Sequence, residues 1–324
     1  MDESRIDPRS EAAPREGRGR RPWWGVILAG GDGTRLRSLT ERISGDARPK
    51  QFCPILGRET LLAETRRRVA LGIAPARTLF VVTRTHERFY TPLLADVWSR
   101  KLVVQPENRG TAPAILYALL RLATVGLTDP VAFFPSDHFV SDDEAFMGHM
   151  GAAVYATLAR PELVVLLGIT PGSATEDYGW IEPGPPIVER RRPWPWPLYQ
   201  VRRFWEKPEP ALARDLRARG SLWNSFVMVG RVDTLVRLVK AAVPELYQAF
   251  ATVRPALGTA REALVRELYA RLPTTDFSRR VLESPHATLA VLPVSDVGWN
   301  DLGVPERVLA TRRQVRREAL AVGA

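Results

Sequence analysis

Cysteine is almost absent: the 324-residue chain has one, Cys53. A single thiol cannot close an internal disulfide, so the fold needs no oxidising compartment, and a zinc site built on cysteines is excluded. The four histidines, His86, His138, His149 and His286, show no metal-ligand spacing, which removes the other common zinc ligand sets. No apolar stretch approaches the roughly 18 residues of a membrane span, and the first twenty residues contain no apolar core of a secretory signal. These absences predict a cytoplasmic protein without a membrane partner. No GxSxG string marks a serine nucleophile, and no internal repeat is visible. Lysine is scarce as well, with four residues against 42 arginines. The net charge of +10 therefore reads as a solvated arginine surface rather than a nucleic-acid footprint, and no nucleic-acid partner is expected. Arg and Lys are not equivalent where a compact point charge is needed, so Lys50, Lys101, Lys207 and Lys240 stand out.

What is present is ordinary globular composition, 45% apolar and 25% charged, in a length that allows one large domain or two intermediate ones. Residues 1–22 are rich in Arg, Glu, Asp, Pro and Gly and read as a disordered basic leader. From Gly25 onward, short continuous apolar runs alternate with helical spacing. The runs are GVILAGG, TLFVVT (Thr78–Thr83), KLVVQ (Lys101–Gln105), PVAFFPSD (Pro130–Asp137) and ELVVLLGI (Glu162–Ile169). The intervening segments TLLAETRRRVALG, HERFYTPLLADVW, TAPAILYALLRLA and DEAFMGHMGAAVYATLA are predicted helices. This alternation predicts an α/β fold with a doubly wound, mostly parallel sheet covered on both faces. After about residue 170, turn-rich stretches interrupt the short strands YGWIEP, YQVRRFWEKP and WNSFVMVG, which predicts a partly antiparallel extension along one wall of a cleft. The excursion 184–197, with five prolines, carries no predicted chemistry. Two helical segments, the strand LAVLPV, the loop GWNDLG and a basic terminal helix from about Pro305 complete the chain. The expected organisation is one domain over 23–304 in two halves, about 23–170 and about 171–304, followed by the helix at 305–324.

The strongest local signal is LAGGDGTRL, residues 28–36, where the first strand meets the first helix. Open α/β sheets bind ligands at the carboxyl ends of their strands, and glycines there let backbone amides close on phosphate oxygens. The loop is neither a Walker A sequence nor a GxGxxG fingerprint, because no Gly-Lys-Ser/Thr follows and Leu36 stands where the last glycine would be. Arg35 and Lys50, in RPKQF, add more positive charge than a plain turn requires. Asp137 ends an apolar strand and Asp301 lies in a glycine-flanked loop after the last one; Mg²⁺ prefers such carboxylates together with substrate phosphates. Asp142 and Asp143 fit helix capping better. Cys53, in the apolar PKQFCPIL, reads as packing.

In order and spacing, LAGGDGTRL, RPKQF, QPENRGTAPAI (105–115), FPSDH (134–138), YGWIEP (178–183), FWEKP (204–208), WNSF (223–226) and GWNDLG (298–303) resemble the bacterial mannose-1-phosphate guanylyltransferases over about 280 residues. The resemblance implies a Rossmann-like, GT-A-type nucleotidyltransferase fold. It also implies formation of GDP-mannose and pyrophosphate from GTP and mannose 1-phosphate, with Mg²⁺ as cofactor. In such a reaction the sugar phosphate supplies its own nucleophile, so positioning and positive charge matter more than a reactive side chain. Carried onto this chain, the family pattern assigns Arg35 and Lys50 to the triphosphate and Lys207 to the sugar phosphate. Asp137 and Asp301 become the metal carboxylates, completing a catalytic set of Arg35, Lys50, Asp137, Lys207 and Asp301. Leu28, Ala29, Gly30, Gly31, Gly33, Thr34, Glu107, Asn108, Thr111, Ala112 and Pro135 are the implied nucleotide contacts; Gly179, Glu206, Lys207 and Asn224 are those of the sugar phosphate. A homodimer is compatible with the pattern.

Two departures are visible. The family usually shows WNSGMF, whereas Phe226 follows Ser225 here, so the sugar is open and a heptose 1-phosphate is the alternative. An acidic–aromatic pair expected before the last strand is read as lacking its acid at Phe277-Ser278-Arg279-Arg280-Val281. The chain ends soon after these motifs, and the fused isomerase domain of bifunctional relatives is not expected. A non-catalytic nucleotide-sugar sensor on the same fold is the competing class.

Overall fold

The computed structural model describes residues 23–322 apart from 58, 189–195, 260–261 and 286–287. The leader at 1–22 and half of the 184–197 excursion lie outside the described residues. Among the described residues nine strands form: β1 (Trp24–Leu28), β2 (Thr78–Thr83), β3 (Leu102–Gln105), β4 (Pro130–Pro135), β5 (Val164–Ile169), β6 (Gly179–Pro186), β7 (Tyr199–Glu206), β8 (Leu222–Arg231) and β9 (Leu289–Val294). They join in one sheet in the order β3-β2-β1-β4-β8-β5-β9-β7-β6, with β6 also pairing to β8.

The five apolar runs of the first half are β1 to β5. β1 pairs in parallel with β2 and β4, and β2 with β3. Alternate residues of each strand enter opposite cores. Val26, Val81 and Phe133 pack with the Thr111–Leu122 and Val232–Ala242 helices, while Ile27, Phe80 and Phe134 pack with Leu61–Ala70 and Asp143–Ala159. A strand apolar on both faces must be covered on both, and this one is. Capping follows local chemistry: the Thr60 hydroxyl accepts from Ala63 N at 3.2 Å, and Asp142 accepts from Ala145 N at 2.8 Å, the role its position predicts.

The partly antiparallel second half is present and belongs to the same sheet. β8 inserts between β4 and β5, antiparallel to both, and β6 and β7 extend the far side of the same sheet. One difference is the segment HERFYTPLLADVW. Only Glu87–Tyr90 is helical and turns follow, because Pro92 has no N–H to donate and crowds the preceding turn. The run from Val232 likewise divides at Pro244 into Val232–Ala242 and Pro244–Val253.

A close backbone approach ties residues 109–112 to residue 275. Ala112 N donates to Thr275 O at 3.0 Å and Thr275 N to Arg109 O at 2.9 Å, so the 273–277 segment lies against the start of the Thr111–Leu122 helix. Gly110 makes this possible: it has φ 87° and ψ −178°, and a Cβ there would stand 2.4 Å from the Thr275 carbonyl oxygen. That backbone region is essentially reserved for glycine. Gly110→Ala is expected to destabilise the fold by about 1–3 kcal/mol from backbone strain alone, read as a lower midpoint in urea with an unchanged slope.

Candidate active site

The site assembles along the carboxyl ends of β1 and β4, where Leu28 and Pro135 are register partners. The loop leaving β1 is tied down from behind. Gln51 Nε2 donates to Ala29 O at 3.2 Å and to Gly31 O at 2.7 Å, and Thr83 Oγ1 donates to Gly30 O at 2.9 Å. Gly30 has no room for a side chain, since a Cβ would lie 2.6 Å from Gln105 Nε2. Gly33 adopts φ 59°, and its Cβ would meet Lys50 N at 2.9 Å. With the carbonyls engaged inward, the amides of residues 31–34 have no backbone acceptor among the described residues, the arrangement that favours an anion. Thr34 and Arg35 are exposed beside it, and Arg35 has no ion-pair partner among the described residues.

Lys50 is buried, with a side chain 10% exposed. Its ammonium donates to Asp301 O at 2.5 Å and to Leu302 O at 3.3 Å, and pairs with Asp137 Oδ2 at 3.2 Å. An ammonium has three donors, and three acceptors surround this one. The two aspartates singled out in sequence, 164 residues apart, therefore meet at one cation. Burial pushes the Asp137 carboxyl up, but Lys50 and His138 outweigh it and hold it below its ordinary value. Burial lowers His138 despite Asp137, so the imidazole is neutral at pH 7. Asp301 Oδ1 accepts from Tyr178 Oη at 2.9 Å and from Gly303 N at 3.0 Å, with Arg307 Nε at 3.1 Å. Burial and Asp301 raise the Tyr178 phenol, so it stays protonated and donates.

Each carboxylate is thus held by one oxygen. The other is lightly engaged: Asp137 Oδ1 lies 3.6 Å from His138 Nε2, and Asp301 Oδ2 lies 3.5 Å from Arg307 Nη2. Among the described residues no three His, Cys, Asp or Glu side chains converge as a metal cage. Two hard oxygens in a site that must be completed by phosphate fit Mg²⁺, which rarely uses an all-protein cage.

The sugar-side residues also converge. A Cβ on Gly179 would lie 2.9 Å from Glu206 Oε2 and 3.3 Å from Asn224 Cβ, so three strands bring these residues together. Lys207 Nζ is 4.0 Å from Glu206 Oε1. Asn224 Oδ1 accepts from Phe226 N at 3.1 Å, and Phe226 has φ 59° with its ring edge-on to Phe277 at 6.4 Å. The acid thought missing from this region is present: Asp276 immediately precedes Phe277, and its charge acts on Glu206.

The purine-side assignments spread out. Asn108 Nδ2 donates to Asp32 Oδ2 at 2.8 Å, and His86 Nε2 lies 3.1 Å from Asp32 Oδ1, so Asp32 joins this loop to the glycine loop. Glu107 pairs with Arg109 at 2.7 Å and borders a cavity of about 1000 Å³ beyond the β3 edge, which includes none of the other predicted site residues. The Thr111 hydroxyl accepts from Phe277 N at 2.8 Å, and Ala112 is fully buried, so these two hold the loop rather than present side chains to a ligand. Cys53 is buried, with Ser44 Oγ at 3.2 Å, and burial raises its thiol, which fits packing. Gln51, Thr83, Asp32, Tyr178 and Arg307 were not anticipated. Gln51 and Tyr178 sit inside motifs already marked, but Arg307 is one of 42 arginines and carries no distinguishing signal.

The glycine loop, the Asp137–Lys50–Asp301 contact and the Gly179–Glu206–Asn224 cluster are all set on one α/β sheet. The Nucleotidyl transferase family profile matches residues 24–318, and the chain belongs to that family. It is 30% identical over 285 residues to the xanthan biosynthesis protein XanB of Xanthomonas campestris, covering 86% of this chain and 57% of that one. It is 29% identical over 288 residues to a mannose-1-phosphate guanylyltransferase of Salmonella muenchen, with the same coverage. The chain therefore spans little more than half the length of these relatives. A crystal structure of a Thermus thermophilus protein named mannose-1-phosphate geranyltransferase superposes with a TM-score of 0.74 at 29% identity, over 87% of this chain and 77% of that one. A UDP-glucose pyrophosphorylase structure, at 14% identity and a TM-score of 0.55, shares the fold.

Glu206 generates a pH test. Burial and Asp276 raise its carboxyl to about 7 from an ordinary 4.5, with Lys207 opposing. The folded state therefore favours the protonated acid, and the stability this contributes is complete below the unfolded value and lost as pH rises through about 7. Glu206→Gln, already neutral, is expected to melt higher than the parent at pH 8 and to lose that advantage by pH 5. Thermal melts of both proteins at the two pH values check it, and a difference independent of pH would contradict the assignment.

Proposed function

We propose that this chain is a Mg²⁺-dependent nucleotidyltransferase that forms GDP-mannose and pyrophosphate from GTP and mannose 1-phosphate. The observation that carries the reading is the meeting at Lys50 of the Asp137 carboxylate and the Asp301 main chain, with Gly33 packed against Lys50 N and Tyr178, the neighbour of Gly179, bonded to the Asp301 carboxylate. An oxygen of the sugar phosphate attacks the α-phosphorus in line, a P–O bond forms, and the bond to the departing pyrophosphate breaks. No side chain needs to become covalently attached. The amides of residues 31–34 and the Arg35 guanidinium hold the β- and γ-phosphates. Lys207 draws the sugar phosphate toward the carboxylates, while Glu206 and Asn224 accept from sugar hydroxyls and Gly179 admits the ring. Asp137 and Asp301 would hold Mg²⁺, which when bound neutralises charge on the α-phosphate and sugar phosphate. A guanine offers N1–H and N2–H₂ donors, and Glu107 is the carboxylate available to the purine loop.

Phe226 favours a second reading of the sugar alone. It stands two residues after Asn224, where the family pattern has a glycine, so the same chemistry on a bulkier or differently shaped sugar, such as a heptose 1-phosphate, is the alternative. The nucleotide half, the sugar half and a cytoplasmic location complete the proposal. No helix among the described residues is long and apolar enough to cross a membrane.

Pyrophosphate release with Mg²⁺, four NTPs and mannose, glucose, N-acetylglucosamine and heptose 1-phosphates is the direct assay. Release with GTP and mannose 1-phosphate alone is the expected result; release with another sugar would assign the specificity to the Phe226 loop. Silence from folded protein across the panel would favour a nucleotide-sugar sensor. Asp137→Asn and Asp301→Asn are each expected to lower kcat by about 10²–10³-fold, the scale of losing a preorganised electrostatic contact. Lys207→Ala is expected to raise the KM for the sugar phosphate roughly 10- to 100-fold, the scale of one charge-assisted hydrogen bond, with the KM for GTP nearly unchanged. An equal loss toward both substrates would move Lys207 away from the sugar phosphate.

A further inference from the structure

Arg307 stands on the terminal helix, Pro305–Val322, a short way along the chain from Asp301 and outside every motif. Its side chain is 21% exposed, low for an arginine. Nη1 donates to Asp177 Oδ2 at 2.8 Å, Nε lies 3.1 Å from Asp301 Oδ1, and Nη2 reaches Asp301 Oδ2 at 3.5 Å. The guanidinium also lies over the Tyr178 ring, 5.0 Å from its centroid, and the hydroxyl of that same tyrosine donates to Asp301 Oδ1. One planar cation therefore touches the loop carrying Asp301 and the loop carrying Asp177, Tyr178 and Gly179.

The contacts are asymmetric in a useful way. Gly303 N and Tyr178 Oη donate to Oδ1 and Arg307 Nε lies near it as an ion pair without donating, leaving Oδ2 with a single long contact from Nη2. A carboxylate free to rotate about its Cβ–Cγ bond presents either oxygen; this one is fixed. Gly303 permits the crowding, because a Cβ there would lie 2.5 Å from Asp301 Oδ2 and 2.7 Å from Arg307 Nη2. The terminal helix itself docks through Val308 and Thr311, both buried, so Arg307 is not needed merely to hold it.

We propose that Arg307 is a positioning residue: it locks the Asp301 carboxylate in one orientation and binds the Asp177–Gly179 segment to it, coupling the terminal helix to the reaction centre. The proposal rests on the reading of Asp301 as a metal carboxylate. Geometry rather than charge is the claim, because a lysine ammonium is a point charge on a flexible stem and does not reproduce the planar fork that spans both aspartates.

Arg307→Met keeps the stem over Tyr178 and removes the fork. The expected result is a kcat about 10- to 100-fold lower, the usual cost of removing a residue that orients a metal ligand, with KM for GTP and sugar 1-phosphate within about twofold. Independently of turnover, the Mn²⁺ concentration that half-saturates the rise in melting temperature is expected to move up by about tenfold. Arg307→Lys is expected to behave like Arg307→Met. Rescue by lysine to near-parental kcat would overturn the proposal in favour of charge alone, and an unshifted or tightened Mn²⁺ midpoint in Arg307→Met would overturn it as well. Asp301→Asn separates the two levels: if that variant keeps parental turnover and Mn²⁺ midpoint, the metal reading fails; if it loses both while Arg307→Met does not, only the positioning role fails. Should Arg307→Met not fold, Asp177→Asn, which releases Nη1, is expected to lower kcat in the same direction, and an unchanged kcat would overturn the proposal.

Discussion

The Lys50 ammonium is the contact on which the site depends. It lies under the sheet's carboxyl edge with all three donors directed to protein oxygens, one on the Asp137 carboxylate and two on the main chain at Asp301 and Leu302. Its own backbone supports the glycine loop, since Gly33 packs against Lys50 N and the Pro49 Cα. The glycine loop, the Asp137 carboxylate and the Asp301 loop are therefore built against one residue, the first through its main chain and the others through its side chain. Removing a buried cation from such a place leaves a charge unpaired, which costs far more than a surface pair would. In the proposed reaction Lys50 serves the phosphates chiefly through what it holds in place, and Arg35, exposed and unpaired among the described residues, is the cation free to move onto a triphosphate.

Backbone strain falls beside the predicted site residues. Among the described residues four non-glycines have left-handed backbone, and three of them are Lys207, Phe226 and Leu302. Each sits next to a functional group: Lys207 after Glu206, Phe226 after the Asn224–Ser225 pair, and Leu302 between Asp301 and Gly303. Such conformations persist only where surrounding contacts over-determine them. Here the contacts are visible. Glu283 accepts from Glu206 N at 2.5 Å, the Asn224 side chain accepts from Phe226 N, and the Asn300 side chain accepts from Leu302 N at 2.8 Å. The polar residues around the recess thus serve its backbone as well as any ligand.

Much of this was legible in the residues. Continuous apolar runs mark β1, β2, β4 and β5, because burial on both faces leaves no polar alternation to disguise them. The glycine loop and the strand-end aspartates follow from where such sheets leave room for ligands. The central place of β8 was not legible, because pairing order is a tertiary choice that a strand's own sequence does not record. Nor was the brevity of the helix after His86, where apolar spacing outweighed the single signal of Pro92. Arg307 was hidden by composition, and Asp276 by the expectation that its pair began at Phe277.

Economy of metal ligands ties the chemistry to the order of events. Two carboxylates, each already engaged through one oxygen, make a weak cation site by themselves, and no third His, Cys, Asp or Glu side chain joins them among the described residues. Mg²⁺ gives up its waters reluctantly and is held best when phosphate oxygens share the work. In the proposed reaction, firm metal binding therefore requires the nucleotide and the sugar phosphate to be present, and the full positive charge assembles only when both reactants lie between the glycine loop and Lys207. A site arranged in this way stabilises charge late, when the in-line transition state forms, rather than tightening the hold on either substrate alone, and interactions that strengthen only there are the ones that raise the rate.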